Sequence, residues 1–261
     1  IAQLSSGKGV YQWTVSASTA TGRIKVTDAN RTASNDESNA DFASYTVAIL
    51  SPNGSELWRT GTTHAITWSA SSGLPSDFYL EYSTNGGTNW TAISGATNLD
   101  PATGGTGFNW TIPVEAVSIQ VKVHVKSTSI TSLEDRSDAN FTVARLDVTF
   151  PNATTDVMRM GATAKNITWT ASGTTLPTDF VLEYSVDSGH TTWTQVTGAT
   201  NIDPVATSSY NWNPIPTYGS KQSTVKVRLR SVGTAAWVDL SDNDSSIDVP
   251  LITISAPATG Q

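Results

Sequence analysis

Residues 119–126 read Ile-Gln-Val-Lys-Val-His-Val-Lys, and this stretch decides the fold class. Apolar side chains at every second position alternate with polar ones, which indicates a half-buried β-strand. Residues 78–83, Phe-Tyr-Leu-Glu-Tyr-Ser, alternate in the same way. Glycine, proline and asparagine punctuate such runs along the chain, and no helical periodicity is present. The sequence therefore predicts an all-β protein made of antiparallel strands.

The chain also contains a tandem repeat. Residues 66–68, Ile-Thr-Trp, recur at 167–169, and residues 80–83, Leu-Glu-Tyr-Ser, recur at 182–185. The matching segments keep their order and stay about 101 to 103 residues apart. Self-similarity at a fixed spacing is the signature of a repeat architecture.

The repeat divides the chain into four parts. Residues 45–144 (unit 1) and 145–250 (unit 2) are predicted to be complete β-sandwich repeats. Residues 1–44 (the half-unit) match only the C-terminal half of a repeat, and residues 251–261 match only a first strand. We interpret the chain as a piece of a longer array. The alternative is a subunit whose open half-domain is completed by another chain through strand addition.

Each unit has the size and turn spacing of a two-sheet sandwich of the immunoglobulin or fibronectin type III kind. Ten residues separate Phe42 from Pro52, Phe141 from Pro151 and Ile247 from Pro257. No Gly/Ser-rich linker lies in between, so the last strand of one unit is predicted to continue into the next. Such joints predict a rigid linear array.

Composition excludes several classes of protein. The 261 residues carry a net charge of -7 and no cysteine. Disulfide frameworks, thiolate metal sites and cysteine nucleophiles are therefore excluded. An acidic chain with no basic cluster is not expected to bind nucleic acid. No apolar run is long enough to span a membrane.

Recurrent tryptophans allow two interpretations. Trp68 and Trp169, like Trp110 and Trp212, fall on apolar strand positions and are predicted to centre the two cores. The alternative is a platform on which carbohydrate rings stack. The candidates for ligand stacking are Trp58, which Met158 replaces in unit 2, together with Trp90 and Trp193.

The sequence contains no recognisable arrangement of catalytic residues. His64, His124 and His190 have unrelated contexts and no metal-ligand spacing. We predict no enzyme activity, no catalytic residues and no cofactor. Acidic turns precede the last strand of each unit, at Asp36–Glu37, at residues 135–138 and at residues 242–244. These turns suggest either ordinary turn chemistry or a Ca²⁺ site.

Outward-facing charges are expected to pair across strands. Glu81 and Glu183 stand on one strand of each unit, and basic residues stand on another. The basic residues are Lys122, Lys126, Lys226, Arg228 and Arg230. Each such pair contributes less than about 1 kcal/mol when it is exposed.

Sequons of the form Asn-X-Ser/Thr mark candidate glycosylation sites. They occur at Asn30, Asn53, Asn89, Asn109, Asn140, Asn152, Asn166 and Asn243.

Two motifs resemble known families. Residues 83–90, Ser-Thr-Asn-Gly-Gly-Thr-Asn-Trp, resemble the Asp-box hairpin of sialidases, and we interpret them as a hairpin with an aromatic plug. Residues 51–61, Ser-Pro-Asn-Gly-Ser-Glu-Leu-Trp-Arg-Thr-Gly, followed by residues 66–68 and 80–87, resemble a repeat of large prokaryotic secreted and cell-surface proteins. That repeat is related to the Ser/Thr-rich GPI-anchored cell-wall protein domain of fungi. Unit 2 departs from the pattern at residues 152–158.

The second resemblance implies an immunoglobulin-like or fibronectin type III-like sandwich in an extracellular, non-enzymatic protein. Our main hypothesis is a structural segment of a stalk, filament or surface layer, whose partners are copies of itself or other surface proteins. The alternatives are a carbohydrate-binding or adhesive module, whose partners are glycans, and accessory domains of an extracellular hydrolase.

Overall fold

The computed structural model describes residues 11–15, 18–101, 107–161, 164–173 and 176–250. The half-unit contributes four short strands: β1 (Thr19–Gly22), β2 (Lys25–Thr27), β3 (Asn35–Glu37) and β4 (Phe42–Ser44). They form two antiparallel pairs, β1 with β4 and β2 with β3.

Unit 1 is a two-sheet sandwich. Its strands are β5 (Val47–Ser51), β6 (Leu57–Arg59), β7 (Thr63–Ala70), β8 (Phe78–Ser83), β9 (Thr91–Ala92), β10 (Gly107–Thr111), β11 (Ser118–Ser127), β12 (Glu134–Arg136) and β13 (Phe141–Phe150). A 3₁₀ turn, Val114–Ala116, precedes β11. One sheet has the order β10-β7-β5, and the other runs β13-β11-β8-β9, with β6 parallel to β13 and β12 beside β11.

Unit 2 repeats this arrangement. Its strands are β14 (Val157–Arg159), β15 (Lys165–Ser172), β16 (Phe180–Ser185), β17 (Thr194–Gln195), β18 (Ser209–Trp212), β19 (Gln222–Ser231), β20 (Val238–Leu240) and β21 (Ser245–Asp248). The C-terminal part of β13 supplies its first strand, so that one sheet has the order β18-β15-β13. The second sheet has the order β14-β21-β19-β16-β17. The chain is thus all-β, with antiparallel sandwiches in tandem, as the sequence predicts.

Two separate hydrophobic cores lie between these sheets. One contains buried residues from Val47 to Val143, and the other contains buried residues from Ala144 to Ile247. The four tryptophans predicted as core centres are all buried: Trp68, Trp110, Trp169 and Trp212. Each indole of Trp68 and Trp169 also donates to a backbone carbonyl, so its polar N–H is satisfied inside the core.

Strand β11 departs from the predicted alternation at one end. Val121, Val123 and Val125 are fully buried, but Ile119 is 52% exposed. The register of β11 against β13 shifts between Ser118 and Val121. A shift of this kind turns the preceding side chains away from the face that alternation assigns them. The prediction that Ile119 belongs to the buried face is therefore wrong.

The half-unit has the strand register of a unit without its core. Val26 pairs with Asp36 as Val125 pairs with Asp135. Val26 is nevertheless 59% exposed, whereas Val125 is 0% exposed. Among the described residues, Trp13 and Ile24 of the half-unit are also exposed. Among the residues that the structure describes, the face that becomes a core in unit 1 is therefore exposed in the half-unit.

Candidate functional site

The joint between units 1 and 2 is a single uninterrupted strand. The N-terminal part of β13 pairs with β11 and β6, and its C-terminal part pairs with β15. Val143 and Ala144 are consecutive buried residues, so the alternation of inward and outward side chains changes phase between them. Val143 enters the core of unit 1, and Ala144 belongs to that of unit 2. One strand therefore serves both cores.

A close approach supports the same joint. Gly173, at a φ of +120°, lies against Ala144, and a Cβ built on it would meet the Ala144 Cβ at 2.6 Å. Only glycine fits at this distance with this backbone conformation. The loop after β15 is therefore packed directly on the middle of β13.

One ion pair connects the two units through their side chains. Arg59 on β6 donates from Nη1 to Asp239 Oδ1 on β20 at 2.7 Å and to the Leu146 carbonyl at 3.2 Å. The other carboxylate oxygen of Asp239 accepts from the Val148 amide at 2.7 Å. Burial raises the pKa of Asp239, and the hydrogen bonds from Val148 and Arg59 act in the opposite direction.

The register corrects one of the predicted junction spacings. Val143 pairs with Trp58, and Ile247 pairs with Met158, so Ile247 corresponds to Val143 rather than to Phe141. The ten-residue spacing to Pro257 therefore starts from a different structural position. Pro257 itself lies outside the described residues.

Trp58 is not a surface residue. It is 8% exposed, stacks on His64 at a ring-centroid distance of 4.4 Å and packs against Phe141. Burial lowers the pKa of His64, which favours its neutral form beside the indole. The prediction that Trp58 is a ligand-stacking residue is wrong, because the indole is buried and packs on His64 and Phe141. Met158, which replaces it in unit 2, is also a core side chain.

Trp90 and Trp193 are half-buried, and cations already occupy their ring faces. The Arg136 guanidinium lies 5.5 Å from the Trp90 ring centre, and that of Arg228 lies 4.1 Å from the Trp193 ring centre. A ligand that stacked on these faces would have to displace an arginine. Their role in ligand stacking stays a prediction that the geometry does not favour.

Glu183 organises the charged outer face of unit 2. It binds Arg228 at 2.6 Å and Arg230 at 2.9 Å. Burial opposes ionisation, but the hydrogen bonds from Arg230 and Arg228 outweigh it and hold the pKa of Glu183 below its usual value. The predicted cross-strand pairing is present here.

At the strand position of Arg228, unit 1 holds a buried histidine. His124 lies between Glu81 on β8 and Glu134 on β12, with nitrogen–oxygen distances of 3.3 Å and 3.1 Å. Burial lowers the pKa of His124, and the Glu134 carboxylate acts against that effect. The predicted charge face is therefore built differently in the two units. Lys122 and Lys226 instead donate to backbone carbonyls.

The Asp-box-like segments are hairpins closed by their own side chains. The Ser83 hydroxyl accepts from the Gly87 amide at 2.8 Å, and Asn85 Oδ1 accepts from the Asn89 amide at 2.9 Å. The Trp90 ring lies against Gly87. In unit 2 Asp187 takes the place of Asn85, and bonds from Ser185 and Thr191 hold its pKa below the usual range.

The predicted acidic turns make structural hydrogen bonds. Asp135 accepts from the Ile49 amide at 2.7 Å, and Asp138 binds the Asn53 side chain at 2.7 Å. Asp242 binds Asn152 in the same way at 3.0 Å. Within the described ranges, no group of three or more His, Cys, Asp or Glu side chains is arranged to hold a metal ion. A calcium site stays an untested prediction.

The sequon asparagines fall into two groups. Six are exposed: Asn30, Asn89, Asn109, Asn140, Asn166 and Asn243. Asn53 and Asn152 are half-buried and use their amides in the turns just described. A glycan would disturb the turn at Asn53 and Asn152, and glycosylation at the exposed positions stays a prediction.

Unit 1 has an open cavity beside Tyr82 and Trp110. About 320 Å³ of space is lined by residues that include Tyr82, Trp110 and Glu115. At the position of Glu115, unit 2 carries Tyr218, whose hydroxyl lies 3.3 Å from that of Tyr184. Burial raises the pKa of Tyr218, so it stays protonated. Tyr218 therefore reaches the Tyr184 hydroxyl in unit 2, where Glu115 borders the cavity of unit 1.

Comparisons with known proteins find similarity to solved structures at low identity and low TM-score, and the fold class rests on the strands and sheets described above. No protein-family profile and no curated protein matches the chain. The fibronectin(III)-like modules of CbhA from Clostridium thermocellum are 18% identical, over 78% of this chain and 94% of theirs, with a TM-score of 0.25. Among the described residues, no helix is long and apolar enough to cross a membrane.

Structures of several immunoglobulin domains in a row are similar at a lower identity. The N-terminal four Ig domains of Dscam1 isoform 7.44 are 11% identical over 83% of this chain, with a TM-score of 0.31. Immunoglobulin domains 1–4 of Sidekick-1 are 13% identical over 89% of this chain, with a TM-score of 0.27. The chain spans 51% and 59% of these two structures.

Proposed function

We propose that this chain is a structural, non-enzymatic segment of an extracellular or cell-surface repeat protein, in which sandwich units form a rigid rod. The observation that carries the proposal is the continuity of β13, which pairs along its length with strands of both units. Partners of such a segment would be copies of itself or other surface proteins. Calcium and attached glycans are additions to this proposal that the geometry does not require.

The physical argument concerns the freedom of the joint. A flexible linker between domains has free backbone dihedrals, whereas each residue of a paired strand is held by ladder hydrogen bonds on its neighbours. Bending at β13 would break pairing with β11 or β15 and expose Val143 or Leu146, which are both fully buried. The units are therefore expected to keep one relative orientation in solution.

The experiment measures the distance between the units. The chain has no cysteine, so Thr91→Cys and Thr194→Cys place spin labels at equivalent exposed positions on β9 and β17. Double electron–electron resonance is expected to give one narrow distance distribution. As the matched control, a Gly-Gly-Ser insertion between Ala144 and Arg145 should broaden it. A broad distribution in the chain without the insertion would refute the rigid rod.

Electron microscopy of the native assembly tests the larger part of the proposal. Extended stalks, filaments or a surface layer are expected. Globular, isolated particles would rule out the structural role even if the joint proved rigid.

A second candidate function, glycan binding, is favoured by the cavity of unit 1. Its aromatic edges at Tyr82 and Trp110 lie beside the Glu115 carboxylate, and the hydroxyl and amide groups of Thr111 and Asn109 complete the lining. Ligand sites combine aromatic surface with placed polar groups, and this cavity offers both.

Nuclear magnetic resonance titration with neutral mono- and disaccharides tests this candidate. Shifts are expected at the cavity residues and should disappear in Glu115→Tyr, which copies unit 2. Tyr218→Glu provides the converse variant, because it should open a cavity in unit 2. Unchanged spectra at millimolar sugar would exclude glycan binding at this cavity.

A further inference from the structure

The contact between Arg59 and Asp239 joins residues of neighbouring units that are far apart in the chain. Asp239 uses one carboxylate oxygen inside unit 2, for the Val148 amide, and offers the other to the preceding unit. The two side chains are 21% and 18% exposed. A half-buried ion pair that also bonds backbone groups is held more firmly than an exposed pair.

The aspartate of this contact recurs at the same strand position in unit 1, in unit 2 and in the half-unit. Asp239 pairs with Leu229, Asp135 with Val125, and Asp36 with Val26. Asp135 also repeats the inner bond, because its Oδ2 accepts from the Ile49 amide at 2.7 Å, the same distance as in unit 2. In the described part of the chain, Asp135 forms no ion pair, so the oxygen that binds Arg59 in unit 2 has no cation in unit 1.

The arginine of the contact recurs as well. Arg59 pairs with Ala144 on the parallel strand, and Arg159 pairs with Asp248 at the corresponding position of unit 2. Asp248 is already bound by Lys221 at 3.0 Å. Arg159 is exposed and makes no ion pair with any residue that the structure describes.

We propose that the Arg59–Asp239 contact is a repeating connector, and that Asp135 and Arg159 are its two open halves. Asp135 receives the guanidinium of a preceding repeat, and Arg159 donates to the aspartate of a following one. The partner is another copy of this repeat, docked end to end along a shared strand. This inference rests on the proposed rod and names the contact that sets its geometry.

The Arg59–Asp239 contact, which is formed in this chain, is tested first and serves as the reference for the two new joints. In the chain carrying Thr91→Cys and Thr194→Cys, either Arg59→Met or Asp239→Asn should remove the narrow distance peak. Asparagine keeps an oxygen for the Val148 amide, so the substitution removes the charge and the acceptor that face Arg59. Arg31→Met, which removes an exposed cation in the half-unit, is the control and should leave the peak unchanged.

Asp135 is tested in a chain extended by one repeat, with residues 1–143 joined to residues 45–261. The register places Val143 where Ser44 lies, so Arg59 of the first copy faces Asp135 of the second. Spin labels replace Thr91 in both copies. Arg59→Met in the first copy and Asp135→Asn in the second should each remove the narrow peak, and the double variant should resemble the single ones.

Arg159 is tested with residues 1–247 joined to residues 144–261, and with labels at Thr194 in both copies. Arg159→Met in the first copy and Asp239→Asn in the second should each remove the narrow peak, and the double variant should again resemble the single ones. Non-additivity is the property that distinguishes a direct contact from two independent effects.

The outcomes separate this inference from the rod itself. Narrow peaks that survive every single substitution, or effects that add in the double variants, would overturn the connector and leave the rod intact. Broad peaks in the unsubstituted chain would overturn the rod. Non-additive loss at both new joints supports the connector.

Discussion

Glu183 shows how a single carboxylate ties two strands together. It is almost fully buried, and its oxygens bind two arginines on β19. Removing its charge leaves two guanidinium groups without their partner, which costs more than losing an exposed pair and less than losing a fully buried one. We expect Glu183→Gln to lower the free energy of unfolding by about 2 kcal/mol at neutral pH.

The pH dependence of the same variant checks the cause. Because the pKa of Glu183 is held below its ordinary value of 4.5, its contribution is complete above that pH and disappears as the pH falls through the lower folded value. Urea titrations at several pH values should therefore show the wild type and Glu183→Gln converging in acid. Glu115→Gln, at an exposed carboxylate, is the control, and a constant difference at all pH values would contradict the assignment.

Arginine and histidine at one position illustrate what a sequence comparison of the two units leaves open. His124 and Arg228 occupy equivalent strand positions opposite Glu81 and Glu183. The alternating pattern predicts an outward-facing polar side chain at both positions. Only the tertiary structure shows that the His124 side chain is 3% exposed, whereas the longer Arg228 side chain, under the equivalent strand β20, remains 22% exposed.

The hairpins after β8 and β16 depend on a glycine at which both backbone conformation and space matter. Gly189 has a φ of +74°, and a Cβ placed there would meet the Trp193 ring at 2.7 Å. Gly95 has a similar φ of +77° with nothing within 4 Å. Comparing Gly189→Ala with Gly95→Ala separates the cost of backbone strain from the cost of steric overlap with the Trp193 ring.

We expect Gly95→Ala to cost about 1 kcal/mol from the positive φ alone. Gly189→Ala should cost about 2 to 4 kcal/mol, because the ring must also move from its position. Thermal unfolding followed by circular dichroism measures both. Equal losses in the two variants would mean that Trp193 does not close the hairpin.

Strand β13 links the stability of the two cores. Trp169 is buried in unit 2, and its removal should destabilise that unit by about 3 to 5 kcal/mol. Because Leu146 and Val143 lie on the same strand, the loss should extend into the β13 edge of unit 1 and fade towards β5 and β7. Hydrogen exchange of Trp169→Ala measures the protection of each strand.

Trp193→Ala is the matched control for that measurement. Trp193 is half-buried outside the core, so its removal should leave the protection of β13 unchanged. Unaltered exchange at Val143 in Trp169→Ala would show that the two units unfold independently despite the shared strand.

At the scale of the whole molecule, the strands and the tandem arrangement could be predicted because their signals are local or periodic. Alternation in residues 78–83 and 119–126 follows from the geometry of a pleated strand, and a copied segment folds like its original. The division at residues 44, 144 and 250 remains a prediction, although the two cores meet at Ala144.

By itself, the sequence determined the fold class, the repeat and the identity of the core tryptophans, since each follows from side-chain order along one segment. The tertiary structure alone decided that Ile119 faces outward, that Trp58 is buried and that Arg59 binds Asp239. Those facts depend on a register shift, on ring packing and on the relative placement of two units. Residues separated by 180 positions leave no local pattern, and only folding brings their charges to 2.7 Å.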